Sequence, residues 1–337
     1  MEACFPCLGV RKRRVRPLPE EATPADLRHR HVAAVARTFS FKELAAATRN
    51  FREDGLVADE DAALYKGYLK SAGQVVAVKL QHVADGRGSS EKYNSEFLAH
   101  ALKLSALRHP NLVNLIGFCA DGNHRILVHE YMPLGSLEDH LHDPPPDKAR
   151  LDWSTRINIA AGAAKGLQYL HNKGIAYRCM RSSDILLGDE HGYHPKLSQC
   201  GLVEFGRLEP AGAHFLKQYY GFACLDTVMT GNLTAASSLY SFGVVLLEIF
   251  TGRRAIADQA AGAGEHPNIV RWAQPFFKYR TRLRRMADPT LQGRYLLKDF
   301  ERAMSVAFVC VQQDPAMRPP IADVVTALAF LASDRSS

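Results

Sequence analysis

Two neighbouring stretches constrain this chain more than any other: Tyr177-Arg178-Cys179-Met180-Arg181-Ser182-Ser183-Asp184-Ile185-Leu186-Leu187 and, ten residues later, Leu197-Ser198-Gln199-Cys200-Gly201. The chemistry open to the chain turns on Arg178, Cys179, Arg181, Asp184 and Gln199, and on what the remaining sequence builds around them.

At 337 residues the chain is long enough for a two-lobed domain plus a short tail, and its composition is that of a globular protein. No apolar run approaches the roughly 18 residues that span a bilayer. The first apolar stretch precedes a basic cluster and is too short for a secretory signal. Cytoplasmic residence is the expectation. The seven cysteines are odd in number and scattered, which suits reduced thiols rather than a disulfide framework. No C-x-x-C pair or His/Cys ligand spacing accompanies Cys179 and Cys200, so both are read as small buried apolar residues.

The net charge of +7 is uneven. Residues 1–37 hold eight Lys/Arg against four Asp/Glu, concentrated in Arg11-Lys12-Arg13-Arg14-Val15-Arg16. With Cys4 and Cys7 ahead of this cluster, the segment reads either as a peripheral anchor, acylated at cysteine and attracted to an anionic membrane surface, or as a solvated basic tail. Position 2 is Glu, which excludes N-myristoylation. The arginine run lacks interleaved aromatics, and no nucleic-acid partner is expected.

An ordered domain is expected from residue 38. Thr38 to Phe51 reads as a helix with Ser40 as N-cap and Glu43 reaching back to it. Leu56–Leu69 and Val75–Leu80 read as a pair of strands joined by a turn at Ser71-Ala72-Gly73. Residues 94–108 have helical spacing and lead into His109-Pro110-Asn111. Ile126–Met132 reads as a strand entering a hinge, followed by a helix capped at Ser136. From Leu151 to His171 runs a long helix with Trp153 as core anchor and small residues at 160–166 for close packing. Tyr240–Phe250 is almost wholly apolar, as a helix at the centre of a lobe should be.

In order, Val76-Ala77-Val78-Lys79, His109-Pro110-Asn111-Leu112-Val113, Glu130-Tyr131-Met132-Pro133-Leu134-Gly135-Ser136-Leu137, the Tyr177–Leu187 loop, Ser241–Glu248 and Met317-Arg318-Pro319 resemble a protein kinase. From about Phe39 to Ala332 the chain is similar to a plant receptor-like cytoplasmic kinase, in particular the immune-signalling subfamily. The resemblance implies an α+β, two-lobed protein-kinase-like fold, with a small β-rich N-lobe over about 38–129, a hinge over about 130–135 and a larger helical C-lobe over about 136–332.

Set against that family, the reactive residues are changed. Cys179 stands where the catalytic base Asp belongs, Asp184 where a metal-binding Asn belongs and Gln199 where the principal metal-binding Asp belongs. Arg181 replaces the catalytic-loop Lys. The glycine-rich loop is replaced by Ala58-Asp59-Glu60-Asp61-Ala62-Ala63, without glycine and with three carboxylates that repel a triphosphate. Lys79 keeps the phosphate-lysine position, but the helix residue that should pair with it is His100, with Glu96 one turn earlier on the same face. Ser238 replaces the Asp that ties down the catalytic loop. Cys200 replaces a bulky Phe, thinning a stack with Tyr177, Leu104 and Leu115. From Leu202 to Asp226 there is no Ser or Thr, so Arg178 is read as structural rather than as a phosphate receiver. Asp226 is expected to pair with Arg318.

The resemblance therefore implies a pseudokinase, a scaffold or regulator whose partners are receptor kinases or active cytoplasmic kinases. Its vestigial nucleotide pocket is assigned to Ala77, Lys79, Glu130, Met132 and Leu186, which would take ATP without productive magnesium. Asp184 and Gln199 form a degenerate metal position. The alternative is a weak, atypical serine/threonine kinase that uses Lys79, Glu96, Arg181 and Asp184.

Overall fold

Burial alternating along short strands builds the first lobe of the computed structural model, which describes residues 36–58, 63–81, 91–144, 149–189, 192–199, 202–204, 220–256, 268–278 and 280–333. The expectations for Cys4, Cys7, the basic run at 11–16, the carboxylates at 59–61 and Cys200 lie outside the described residues. Six strands form one sheet: β1 (Arg37–Thr38), β2 (Leu56–Ala58), β3 (Leu64–Leu69), β4 (Gln74–Leu80), β5 (Leu115–Cys119) and β6 (Ile126–Glu130), in the spatial order β1-β5-β6-β4-β3-β2. Val76 and Val78 enter an apolar cluster with Phe39, Leu44 and Val128 on one face of the sheet. Period-two alternation sends Ala77 and Lys79 to the other face.

The first helix, α1 (Phe41–Ala47), is shorter than the expected Thr38–Phe51. Ser40 does cap it, accepting the Glu43 N–H at 3.2 Å. The Glu43 carboxylate does not return to the cap; it takes the Arg37 guanidinium at 2.8 Å and the Ser71 hydroxyl at 3.2 Å. The helix stops because the Thr48 hydroxyl donates to the Leu44 carbonyl at 2.8 Å and Arg49, Asn50 and Phe51 all take positive φ. Phe51 then folds back to stack on Phe41. Helix α2 (Glu91–Ser105) packs Phe97, Ala101 and Leu104 against Leu115, Phe118 and Leu127 of the sheet.

The second lobe is helical. It comprises α3 (Leu137–His142), α4 (Trp153–Asn172), α5 (Leu225–Thr230), α6 (Ala235–Thr251), α7 (Ile269–Lys278), α8 (Leu297–Cys310) and α9 (Ile321–Ser333). Two short ribbons accompany them: β7 (Ile175–Tyr177) with β10 (Leu202–Glu204), and β8 (Ile185–Gly188) with β9 (His194–Leu197). Every residue of α6 from Ser237 to Thr251 is buried, and α8 and α4 pack on it. Trp153 is fully enclosed, its ring 5.5 Å from Phe250 and 5.8 Å from Phe300; such a side chain contributes roughly 2–3 kcal/mol by burial. The small residues of α4 have a defined purpose. A Cβ on Gly162 would lie 2.4 Å from the Pro195 ring, and one on Gly166 would lie 2.6 Å from the Asn111 carbonyl, so α4 sits directly against β9 and the His109–Asn111 connection.

Candidate functional site

Between the lobes, register places the cleft residues. Ala77 is opposite Lys66 on β3 and His129 on β6, while Lys79 is opposite Leu64 and Leu127. Leu64 therefore shares the cleft face with Ala77 and Lys79. It roofs the pocket, a role that period two in the strand could have assigned from sequence. From below, Leu186 of β8 is half-buried and next to the hinge, since Leu187 exchanges main-chain hydrogen bonds with Leu134 and Gly135 at 3.1 and 2.9 Å.

His129, the residue immediately before the hinge, is a second site residue that sequence reasoning missed. It is buried, and its Nδ1 has no hydrogen-bond partner among the described residues. Burial, followed by the nearby charges of Lys79 and His100, pushes its pKa down to about 3. The base of the cleft thus gathers one lysine and two imidazoles. Glu96 lies on an exposed part of α2, and among the described residues no ion pair joins it to Lys79.

The Glu130 side chain is turned away from nucleotide. Its carboxylate accepts from Asn114 N–H at 2.6 Å, Asn114 Nδ2 at 3.0 Å and Lys196 Nζ at 2.7 Å. Only its main-chain carbonyl is left for a ligand in the cleft. Met132 is buried, with its carbonyl 3.3 Å from the Gly135 N–H. A cavity of about 370 Å³ lies beside the hinge, lined by Lys66, Val75, Glu130–Pro133 and Lys196. It shares Glu130 and Met132 with the expected nucleotide pocket, while Ala77, Lys79 and Leu186 are not in its lining.

The catalytic-loop segment is held from below by two serines of α6. The Ser238 hydroxyl accepts the Tyr177 N–H at 2.9 Å and lies 3.1 Å from the Tyr177 carbonyl; the Ser241 hydroxyl accepts the Met180 N–H at 2.9 Å. The tether expected to change at position 238 is kept by other chemistry. Between these anchors Cys179 is 3% exposed and packs on Phe222 and Ala223. Burial first, then Cys224 nearby, pushes its thiol pKa far up, so it is a neutral thiol at neutral pH.

Asp184 is occupied by its own loop. Its carboxylate accepts the Arg181 N–H at 2.9 Å, has Arg181 Nε at 3.9 Å and the Ser198 hydroxyl at 3.4 Å. Gln199 is also buried. Its Nε2 lies 3.4 Å from the Leu104 carbonyl of α2, and its Oε1 has no hydrogen-bond partner among the described residues. A single engaged carboxylate and a neutral amide aimed at a helix end do not make a set of oxygen donors for Mg²⁺. Among the described residues, no group of three or more His, Cys, Asp or Glu is placed to hold a metal ion.

Arg178 is half-buried, and the Tyr177 hydroxyl donates to the Ser198 carbonyl at 2.9 Å. Leu104 and Leu115 belong to one apolar cluster and Tyr177 to another, with Leu202 packed against both. Farther down, Arg318 Nη2 meets Asp226 at 3.0 Å. The Arg318 guanidinium also donates to the carbonyls of Gln312, Ala236 and Gln313.

A sheet lobe and a helical lobe joined by this hinge, above a loop tied to a buried central helix, define a protein-kinase domain. Residues 55–328 match the family described as protein tyrosine and serine/threonine kinase, and the chain belongs to that family. Among its relatives in Arabidopsis thaliana, serine/threonine-protein kinase PBL27 is 55% identical over 90% of this chain and 58% of its own length. Probable serine/threonine-protein kinase PBL7 is 53% identical over 89% of this chain and 79% of its own length. Serine/threonine-protein kinase PBS1 is 52% identical over 88% of this chain and 65% of its own length. The chain thus spans about six-tenths of the first and third of these relatives. No helix among the described residues is long and apolar enough to cross a membrane.

Proposed function

We propose that this chain is a catalytically inactive receptor-like cytoplasmic kinase that signals by binding. The observation that carries the reading is Cys179: a buried, neutral thiol in the place of the catalytic base. General-base catalysis typically contributes about 10²–10⁴-fold, and a thiol whose pKa is raised by burial does not accept the hydroxyl proton. Gln199 and Asp184 support the same conclusion from the metal side. Phosphoryl transfer is mostly positioning and charge neutralisation, and these residues supply neither in the required form. The cleft retains Lys79, Ala77, Met132 and Leu186, which suit a nucleotide held without productive magnesium. By likeness to the kinases above, its partners are receptor kinases or active cytoplasmic kinases of plant signalling. Residues 1–37, with Cys4 and Cys7, act as a peripheral anchor at the cytoplasmic membrane face.

A second reading, a weak serine/threonine kinase, is favoured by relatives that are more than half identical to this chain and are named as serine/threonine-protein kinases. Purified protein incubated with Mg²⁺-ATP or Mn²⁺-ATP and a generic protein substrate separates the two. The pseudokinase reading expects no transfer from a well-folded sample. Transfer that disappears in Lys79→Ala overturns it.

A further inference from the structure

Positive charge on the folded unit is gathered in one stretch. Residues 268–302 hold nine Lys/Arg and three Asp/Glu, a net of +6, and residues 1–37 carry +4, so the rest of the chain is net −3 by difference from +7. Two of those three acids are not on the surface. Asp288 is buried against Arg156 at 2.7 Å, and Asp299 is buried with Arg302 at 3.5 Å.

Local geometry turns this charge outward. In the 3-10 turn Arg280–Met286, Leu283 and Met286 repeat at three-residue spacing and are buried in the core. Arg284 and Arg285 between them are exposed. Helix α8 packs on this turn and opens with Arg294, Leu296, Leu297 and Lys298 all exposed, the two leucines 53% and 44% so. Leu296 is moreover the N-cap of α8 and supplies no side-chain hydrogen bond to it. A Ser, Thr, Asp or Asn there would stabilise the helix. An exposed leucine pair at a cap position works against the fold locally, which is the pattern of a residue kept for another purpose.

We propose that this face of the C-lobe docks on an anionic lipid bilayer, with Leu296 and Leu297 entering the headgroup layer and Arg284, Arg285, Arg294 and Lys298 facing lipid phosphate and carboxylate. Both components are needed to choose the partner. Cations alone attract any polyanion, whereas an exposed apolar pair at a helix start, flanked along the chain by the exposed Arg294 and Lys298, fits a soft surface better than an extended acidic peptide. Each cation near an anionic leaflet contributes about fivefold to partitioning. The inference does not depend on whether the nucleotide cleft is active.

The test is co-sedimentation of the full chain, produced without lipidation, with phosphatidylcholine vesicles containing about 20% phosphatidylserine, compared with phosphatidylcholine alone. Three variants are compared with it: Arg284→Ser/Arg285→Ser, Leu296→Ser/Leu297→Ser, and a tail variant with the arginines at 11, 13, 14 and 16 changed to Ser. The arginine variant should lose about 25-fold in partitioning to anionic vesicles and the leucine variant about tenfold, each independently of the loss in the tail variant. The leucine variant should melt at the same temperature or higher, since Leu296→Ser supplies the missing cap. Unchanged partitioning in both C-lobe variants overturns the proposal. Loss in the arginine variant alone also overturns it, because the face then adsorbs by charge only and an acidic protein becomes the better partner.

Discussion

The Ser238 hydroxyl closes on both main-chain groups of Tyr177, accepting its N–H at 2.9 Å and lying 3.1 Å from its carbonyl, with the Thr234 carbonyl at 3.1 Å as a second acceptor for its proton. A carboxylate at this position can only accept; a hydroxyl both accepts and donates. The loop carrying Cys179 is therefore anchored without a buried charge. Ser238→Ala removes this acceptor from the buried Tyr177 N–H, which costs about 1–3 kcal/mol. Equilibrium urea unfolding should show the loss as a lower midpoint with the same slope. An unchanged midpoint would mean that water takes the hydroxyl's place.

Restoring single catalytic residues should not restore catalysis. Cys179 is enclosed by Phe222 and Ala223, and a carboxylate there is desolvated before it has a substrate to serve. Cys179→Asp is expected to lower stability by several kcal/mol and to yield no phosphate transfer, because the residues of a cooperative site fail together. Gln199→Asp should add a Mg²⁺-dependent increment to nucleotide-induced thermal stabilisation, which the parent chain should lack. An increment of equal size in the parent would place a working metal site where this reading puts none.

Most of the architecture is readable from the sequence because it is written in patterns of packing. The apolar run Tyr240–Phe250 is the buried centre of α6, and the small residues Gly162 and Gly166 mark where α4 meets β9. The limits lie where side chains choose among partners. Glu43 has the spacing of a capping residue, yet an arginine outside the helix and a serine from a distant turn compete for it and win. Glu130 stands in a hinge motif, yet its carboxylate serves Asn114 and Lys196, which are far from it in sequence. No pattern singles out His129, because a histidine in an apolar strand is ordinarily a satisfied core residue; only burial beside Lys79 and His100 makes it part of the site.

The pair Asp226 and Arg318 predicts an asymmetric response. The Arg318 side chain is 1% exposed and serves three carbonyls besides the carboxylate, whereas the Asp226 side chain is 28% exposed. Arg318→Ala should cost about 3–5 kcal/mol, as removal of a buried charged partner does. Lysine should not rescue it, since a single ammonium cannot span the acceptors that the planar fork reaches. Asp226→Asn should cost only about 1 kcal/mol. Equal losses from the two sides would show that the ion pair alone, and not the carbonyl cage, holds this corner.

His129 predicts how stability responds to acid. Its pKa lies at about 3 in the folded chain against an ordinary 6.5, lowered first by burial and then by Lys79 and His100. Between these values the unfolded chain binds the proton and the folded chain does not, so stability is complete above about pH 6.5 and falls as the pH drops below it, by up to about 1.4 kcal/mol per pH unit. His171, pushed down to about 4 by burial, acts in the same direction in the same window. Asp288, held below its ordinary 3.8 chiefly by Arg156 against the opposing effect of burial, loses its contribution only in stronger acid and does not enter this range. Urea unfolding between pH 7 and pH 5 should therefore show a falling free energy in the parent chain. His129→Phe, which has no proton to gain, should reduce the slope by about one proton. A variant slope equal to that of the parent would place a charged imidazole at position 129 in the folded state and remove the neutral imidazole from the base of the cleft.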